Sequence, residues 1–229
     1  MSVLAIALVL MGVSYGDPAI GSRLNPGTRR QYNADMGNPQ ESMFRFTECT
    51  VSLNEGRMRT YLDTRSKAEL ETASRAFDQS DRATRCAIDA YVGGDAALFQ
   101  FGSDTGVLRG MTAEAFLRKY RVGTGLPPLA LQPKYPRDWH AMTGRPAQID
   151  EMATCVAEVN PAGIMAVTKT EFGSKKEKKA LDSLAPTVGK CLLAGAKLTT
   201  NQLGLRTALA EALYHRVFDP AAAVTAAVK

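Results

Sequence analysis

The sequence predicts a mainly α-helical protein of two tandem, disulfide-closed three-helix modules joined by a proline-rich connector. The first observation behind this is an internal repeat. A cysteine (Cys49, Cys155) is followed five residues on by an asparagine (Asn54, Asn160) and fifteen on by a threonine (Thr64, Thr170). A Ser-x-x-Glu comes next (Ser66 to Glu69, Ser174 to Glu177), then a second cysteine (Cys86, Cys191). Both copies end on Leu-Arg-x-x-x-Ala-Glu-Ala, from Leu108 to Ala115 and from Leu205 to Ala212. The second observation is apolar spacing of the helical kind within each copy. The third is that the cysteines fall two per copy, 37 and 36 positions apart.

In chain order, Val3 to Val13 is an eleven-residue apolar run ahead of Ser14-Tyr15-Gly16. It is shorter than the roughly 18 apolar residues of a membrane span, and small residues follow it. Residues 1–16 therefore read as a signal peptide cleaved after Gly16, leaving no transmembrane span. No Lys or Arg precedes the run, a departure that counts against export unless a basic region lies upstream of Met1. Residues 17–48 read as an irregular arm, polar and interrupted by Pro18, Pro26 and Pro39, with Phe44 and Phe46 flanking a short extended entry.

Module 1 is expected over residues 49–120 and module 2 over 151–218. The first helix of each starts at its asparagine; Asn160-Pro161 sets a good N-cap before a proline whose missing N–H costs nothing there. Met58, Tyr61 and Leu62, and likewise Ile164, Val167 and Thr168, give each one apolar stripe. The second helix opens on the Ser-x-x-Glu capping box, in which serine oxygen and glutamate carboxylate satisfy free backbone donors reciprocally. Leu181, Leu184, Ala185 and Val188 line one face in the second copy, with Pro186 expected to kink or split it; Leu70, Ala73 and Phe77 do so in the first. Asp104 and Asn201 cap the third helix. Its stripe is Leu205, Leu209, Ala212, Leu213 and Val217, mirrored by Leu108, Thr112, Ala115, Phe116 and Tyr120. The first copy carries eight more residues ahead of this helix, including Ala97 to Phe101.

The connector, 121–150, holds five of the eleven prolines, which excludes a long helix. It also holds Tyr135 and the only tryptophan, Trp139, expected to pack on a neighbouring module. The tail is 219–229.

Four cysteines allow three pairings. The repeat selects Cys49–Cys86 and Cys155–Cys191, because each copy then closes by itself, at about 3 to 4 kcal/mol per loop in the chain-entropy treatment. No short Cys-x-x-Cys or Cys/His cluster provides a zinc site. Disulfides require an oxidising compartment, so the expected location is periplasmic or secreted.

A formal charge of +5 with pI near 9.1 suits an anionic envelope component as partner and falls short of a nucleic-acid binder. Arg109 and Glu114, and Arg206 and Glu211, recur at equal spacing. Five residues turn a helix by about 140°, so they do not face each other. Glu114 reaches Arg118, and Glu211 reaches His215, at i+4. The arginines flank the apolar stripe, placed to cross to another helix, and the four read as repeated structural charges forming inter-helix salt bridges. Only His140 and His215 offer imidazole. There is no Gly-x-Ser-x-Gly elbow and no Gly-x-Gly-x-x-Gly or Walker loop, so neither catalytic, cofactor nor metal residues are assigned. Lys175, Lys176, Lys178 and Lys179 form the densest basic run, at a helix start where the dipole disfavours cations. That conflict marks them as candidates for anion binding.

The order Cys…Asn-Pro…Thr…Ser-x-x-Glu…Cys…Leu-Arg-x-x-x-Ala-Glu-Ala, over roughly 49–120 and 155–217, resembles uncharacterised exported bacterial proteins built from tandem two-cysteine helical modules. The resemblance implies fold and export and carries no activity with it. The expected function is a non-catalytic binding or structural role in the bacterial envelope. Two alternatives stand beside it: an envelope hydrolase between the modules using Glu114 or Glu211 with His140, and a module binding lipid phosphate through Lys175 to Lys179.

Overall fold

The computed structural model describes residues 38–78, 82–83, 85–86, 105–192, 198 and 200–219. Among them are eight α-helices, two disulfides and no strand. Residues 1–16, expected to be a signal peptide, residues 17–37 of the arm, residues 97–101, Asp104 and the tail beyond Asp219 lie outside the described residues.

Helix α1 (Pro39–Leu53) replaces the end of the expected irregular arm. Asn38 accepts from the Gln40 amide and Pro39 occupies the first turn, the same Asn-Pro start that the sequence shows at Asn160-Pro161. Phe44 and Phe46 are helical and buried, with no extended entry between them. Cys49 therefore sits inside a helix. The three-helix count per module is corrected to four, since a cysteine-bearing helix precedes the asparagine in each half. In the first half α2 (Glu55–Leu62), α3 (Lys67–Asp78) and α4 (Thr105–Tyr120) follow. In the second, α5 (Ala147–Val159) carries Cys155 and takes over the last residues assigned to the connector; α6 (Pro161–Thr168), α7 (Lys175–Cys191) and α8 (Gln202–Phe218) follow.

Caps set these boundaries. Asn160 Oδ1 accepts from the Gly163 amide at 3.0 Å and Asn201 Oδ1 from Gly204 at 2.8 Å, whereas the Asn54 side chain makes no cap bond. Glu69 closes the first capping box, accepting from the Arg65 and Ser66 amides at 2.7 and 3.1 Å. Helix α7 runs unbroken through Pro186, which lies on its exposed side, and Ala185 is exposed with it while Leu181, Leu184 and Val188 are buried. Phe77 is helical, but its side chain is outside the described set.

Helices α4 and α8 pack together at the centre, with α1 laid on α4 and α5 on α8. Gly110 lies tight against Thr207, where a Cβ on Gly110 would come within 2.3 Å of the Thr207 carbonyl oxygen. Both central helices are buried on nearly all faces rather than along one stripe: Arg109 to Leu117 and Arg206 to His215 are buried without interruption. The two apolar cores interleave. The one under α1 and α2 also takes Phe172 and Tyr214 from the second half, and the one around α5 to α7 takes Leu117 from α4. Both expected disulfides form, with Cα–Cα distances of 5.5 Å for Cys49–Cys86 and 5.6 Å for Cys155–Cys191.

Between the halves, the connector is ordered by specific contacts rather than by a helix; its one element is a 3-10 turn, Asp138–Met142. Leu129 N–H donates to the Glu158 carbonyl, Gln132 N–H to the Tyr135 hydroxyl, and Arg137 pairs with Glu158 at 2.5 Å. Trp139 is buried and stacked on His215, centroids 4.4 Å apart, packing onto α8 as expected for a connector aromatic.

Candidate functional site: a buried charged centre and its surroundings

A charged side chain without water must find its compensation within the protein. The repeated charges do this by exchange between the halves. Arg109 of α4 donates from Nε to Glu211 of α8 at 2.6 Å; Arg206 of α8 forks onto Glu114 of α4, Nε to Oε2 at 2.8 Å and Nη2 to Oε1 at 2.5 Å. All four side chains are fully buried. The inter-helix salt bridges expected from the sequence are present, and they are reciprocal.

Each pair grows into a charge-balanced quartet. In the first, Glu211 also accepts from Arg145 at 2.5 Å, and Arg145 donates to Asp150 at 2.7 Å. Thr143 Oγ1 donates to the other Asp150 oxygen at 2.6 Å. In the second, Arg206 also reaches Glu177 at 2.8 Å, and Glu114 accepts from Arg118 at 2.7 Å. The threonine common to both repeats now has a role. Thr64 Oγ1 accepts from Arg109 at 3.0 Å and Thr170 Oγ1 from Arg206 at 3.4 Å. Arg109 further donates to the Tyr61 and Leu62 carbonyls, both at 2.7 Å, closing the C-terminus of α2; Arg206 donates to the Thr170 carbonyl at 2.9 Å, just past α6.

Burial alone would raise the Glu211 carboxyl, but Arg109 and Arg145 overcome it and hold the group at about 2. Burial pushes Asp150 up, with Arg145 and Thr143 only partly opposing it. The capping-box glutamates diverge: Glu69 stays exposed and caps its own helix, whereas Glu177 is buried, accepts from the Gly173 amide at 2.6 Å, and turns inward to Arg206.

The histidines lie either side of Trp139. His140 meets the indole edge-on at 4.4 Å and its Nε2 lies 3.1 Å from Thr154 Oγ1; burial and the nearby Arg137 and Arg145 lower it to about 4. His215 is buried, 4.0 Å from Glu211, with no hydrogen-bond partner on either ring nitrogen among the described residues. Burial above all lowers it to about 3, so both rings are neutral at pH 7. His140 and the two glutamates share no hydrogen bond. Lys175, Lys176, Lys178 and Lys179 are all exposed, because the phase of α7 that buries Glu177 turns them outward; Lys178 pairs with Asp182 at 2.7 Å.

Sequence reasoning did not single out Arg145 or Asp150 as partners of the repeated charges. It also did not single out a groove of about 370 Å³ at the C-terminal ends of α4 and α6, lined by Leu117, Arg118, Arg121, Thr124, Met165, Thr168 and Lys169. No group of His, Cys, Asp or Glu among the described residues is arranged to hold a metal ion, and no described helix is long and apolar enough to cross a membrane. Two disulfides fit an oxidising, extracytoplasmic environment. Comparison with protein-family models, curated proteins and solved structures finds no match.

Proposed function

We propose that the protein is a non-catalytic binding or structural component of the bacterial envelope, periplasmic or secreted, built from a duplicated disulfide-closed helical module. The observation that carries this reading is the reciprocal burial of Arg109–Glu211 and Arg206–Glu114. A general acid or nucleophile must touch its substrate, and Glu114 and Glu211 have no exposed surface to touch one with. Glu211 held at about 2 is also a poor proton acceptor at neutral pH. What the two copies share is thereby accounted for by folding.

The test uses the exported protein assayed against peptidoglycan and ester substrates, with His140→Ala as the variant, since His140 lies outside both quartets. No turnover by the wild type is expected. Turnover that His140→Ala abolishes would establish the hydrolase reading instead. Intact mass with and without reductant, followed by alkylation, checks the compartment: loss of residues 1–16 and two disulfides are expected.

A further inference from the structure

The residues common to both halves explain the fold; the places where the halves differ are where a ligand is to be sought. The groove at the ends of α4 and α6 has a counterpart at the ends of α8 and α2. Counting from the repeated cysteine and the repeated Leu-Arg, Met165 corresponds to Arg59, Lys169 to Asp63 and Arg121 to Phe218. In the first half two of these positions pack on each other, with the Arg59 guanidinium 4.6 Å from the Phe218 ring centroid and 5.0 Å from that of Phe116, while Asp63 is exposed. In the second half the space is open, its lining is mostly apolar, and every charged residue in that lining is a cation.

Those cations are not all needed by the fold. Arg118 is tethered to Glu114 and to the Thr170 carbonyl at 3.0 Å, which fixes it in place beforehand. Arg121 and Lys169 are exposed and have no acidic partner among the described residues. Arg121 also holds φ at +50°, a conformation that glycine adopts without strain and arginine does not. A strained backbone position whose guanidinium has no acidic partner among the described residues, beside an open apolar groove, is the kind of outlier from which function is inferred.

We propose that this groove binds an amphiphile with a compact anionic head, carboxylate or phosphate monoester, and an apolar tail. The head lies between Arg121 and Lys169 beside Arg118, and the tail lies over the Leu117 and Met165 floor. The volume is at the small end of the range of about 300 to 1,000 Å³ of small-molecule sites. This rests on the binding role proposed above and names the ligand class for it.

The test is calorimetric titration of the oxidised full-length protein with sodium decanoate and decyl phosphate below their micelle concentrations. Decanol and inorganic phosphate are the controls lacking head charge and tail. The anionic amphiphiles should bind, and bind less tightly as salt rises; each control should bind about tenfold more weakly or worse. The variant Arg121→Gly/Lys169→Ala, in which glycine suits the local φ, should fold and lose about tenfold or more in affinity. Co-sedimentation with vesicles containing phosphatidic acid, whose head is a phosphate monoester, distinguishes sources: binding there that the variant loses identifies a lipid headgroup, and its absence alongside decanoate binding identifies a free amphiphile. No binding of either amphiphile, equal binding by the variant, or inorganic phosphate binding as tightly as decanoate would each overturn the proposal. The turnover assay is independent of all these outcomes, so failure here leaves the non-catalytic reading to be judged separately.

Discussion

The two quartets use the same residue types at the same positions of α4 and α8, yet they are closed differently. The Glu211 quartet is sealed: Arg109, Glu211 and Asp150 have no exposed side-chain surface and Arg145 retains 8%. Its second arginine comes from the connector. The Glu114 quartet draws its second arginine, Arg118, from one turn along the same helix, and that side chain is 30% exposed. One centre is therefore purely internal, while the other has an edge in contact with a groove. The Arg–Glu pair that recurs between α4 and α8 joins these helices twice, and the second arginine of each quartet decides which one reaches solvent.

The largest expected effect breaks this comparison directly. Glu211→Gln leaves Arg109 with no acidic partner and Arg145 with Asp150 alone, both away from water, and should cost about 3 to 5 kcal/mol in urea unfolding. Glu114→Gln leaves Arg206 its Glu177 partner and lets Arg118 solvate, so its cost should fall at the lower end of that range or below. Equal losses would mean that the exposed edge of the second quartet provides no relief.

Acid should also act unequally on the two centres, because a buried neutral imidazole sits only beside Glu211. The folded His215 is held at about 3 against an ordinary 6.5, so below 6.5 the unfolded chain takes up a proton that the folded protein refuses. Stability should fall as pH drops from 6.5 towards 3, at about 1.4 kcal/mol per pH unit for this ring. The half-buried His140, lowered to about 4, adds a smaller loss over a shorter window. Glu211 adds its own loss below 4.5, while Asp150 and Glu158, raised by burial, oppose it. His215→Phe, which keeps a ring against Trp139, should flatten the dependence between pH 6.5 and 5; an unchanged slope would show that His215 is protonated in the folded state.

The smallest effect sharpens the comparison at the level of caps. Asn160→Ala removes the bond to the Gly163 amide and should cost about 1 kcal/mol, whereas Asn54, which makes no cap bond, should cost less on the same change. Matching losses would indicate that Asn54 caps α2 in solution.

Much of this fold is legible in the residues. The capping boxes at Ser66 and Ser174, the Asn-Pro start of α6 and the cysteine spacing each report local geometry, and local geometry is what a sequence encodes most directly. Helix α1 was equally legible, for Asn38-Pro39 is the same start; the alternation of Phe44 and Phe46 hides it, because two aromatics two apart mimic a strand. Helix α5 shows Ile149, Met152, Ala153 and Val156 at helical spacing, masked by the prolines before it. The partners of the repeated charges are another matter. Arg109 meets Glu211 across 102 residues and Arg206 meets Glu114 across 92, and nothing in the composition of the connector marks Arg145 as the second partner of Glu211. The groove was illegible for a related reason. It exists because Phe218 fills in one half what Arg121 leaves open in the other, a difference that acquires meaning only in three dimensions.

The exchanged charges should make α1 to α8 a single cooperative unit rather than two self-sufficient modules, which scanning calorimetry of the oxidised protein can decide. A single transition is predicted, with calorimetric and van't Hoff enthalpies equal and the whole transition moved to lower temperature by Glu211→Gln. Two resolved transitions, only one of them shifted by that substitution, would contradict it.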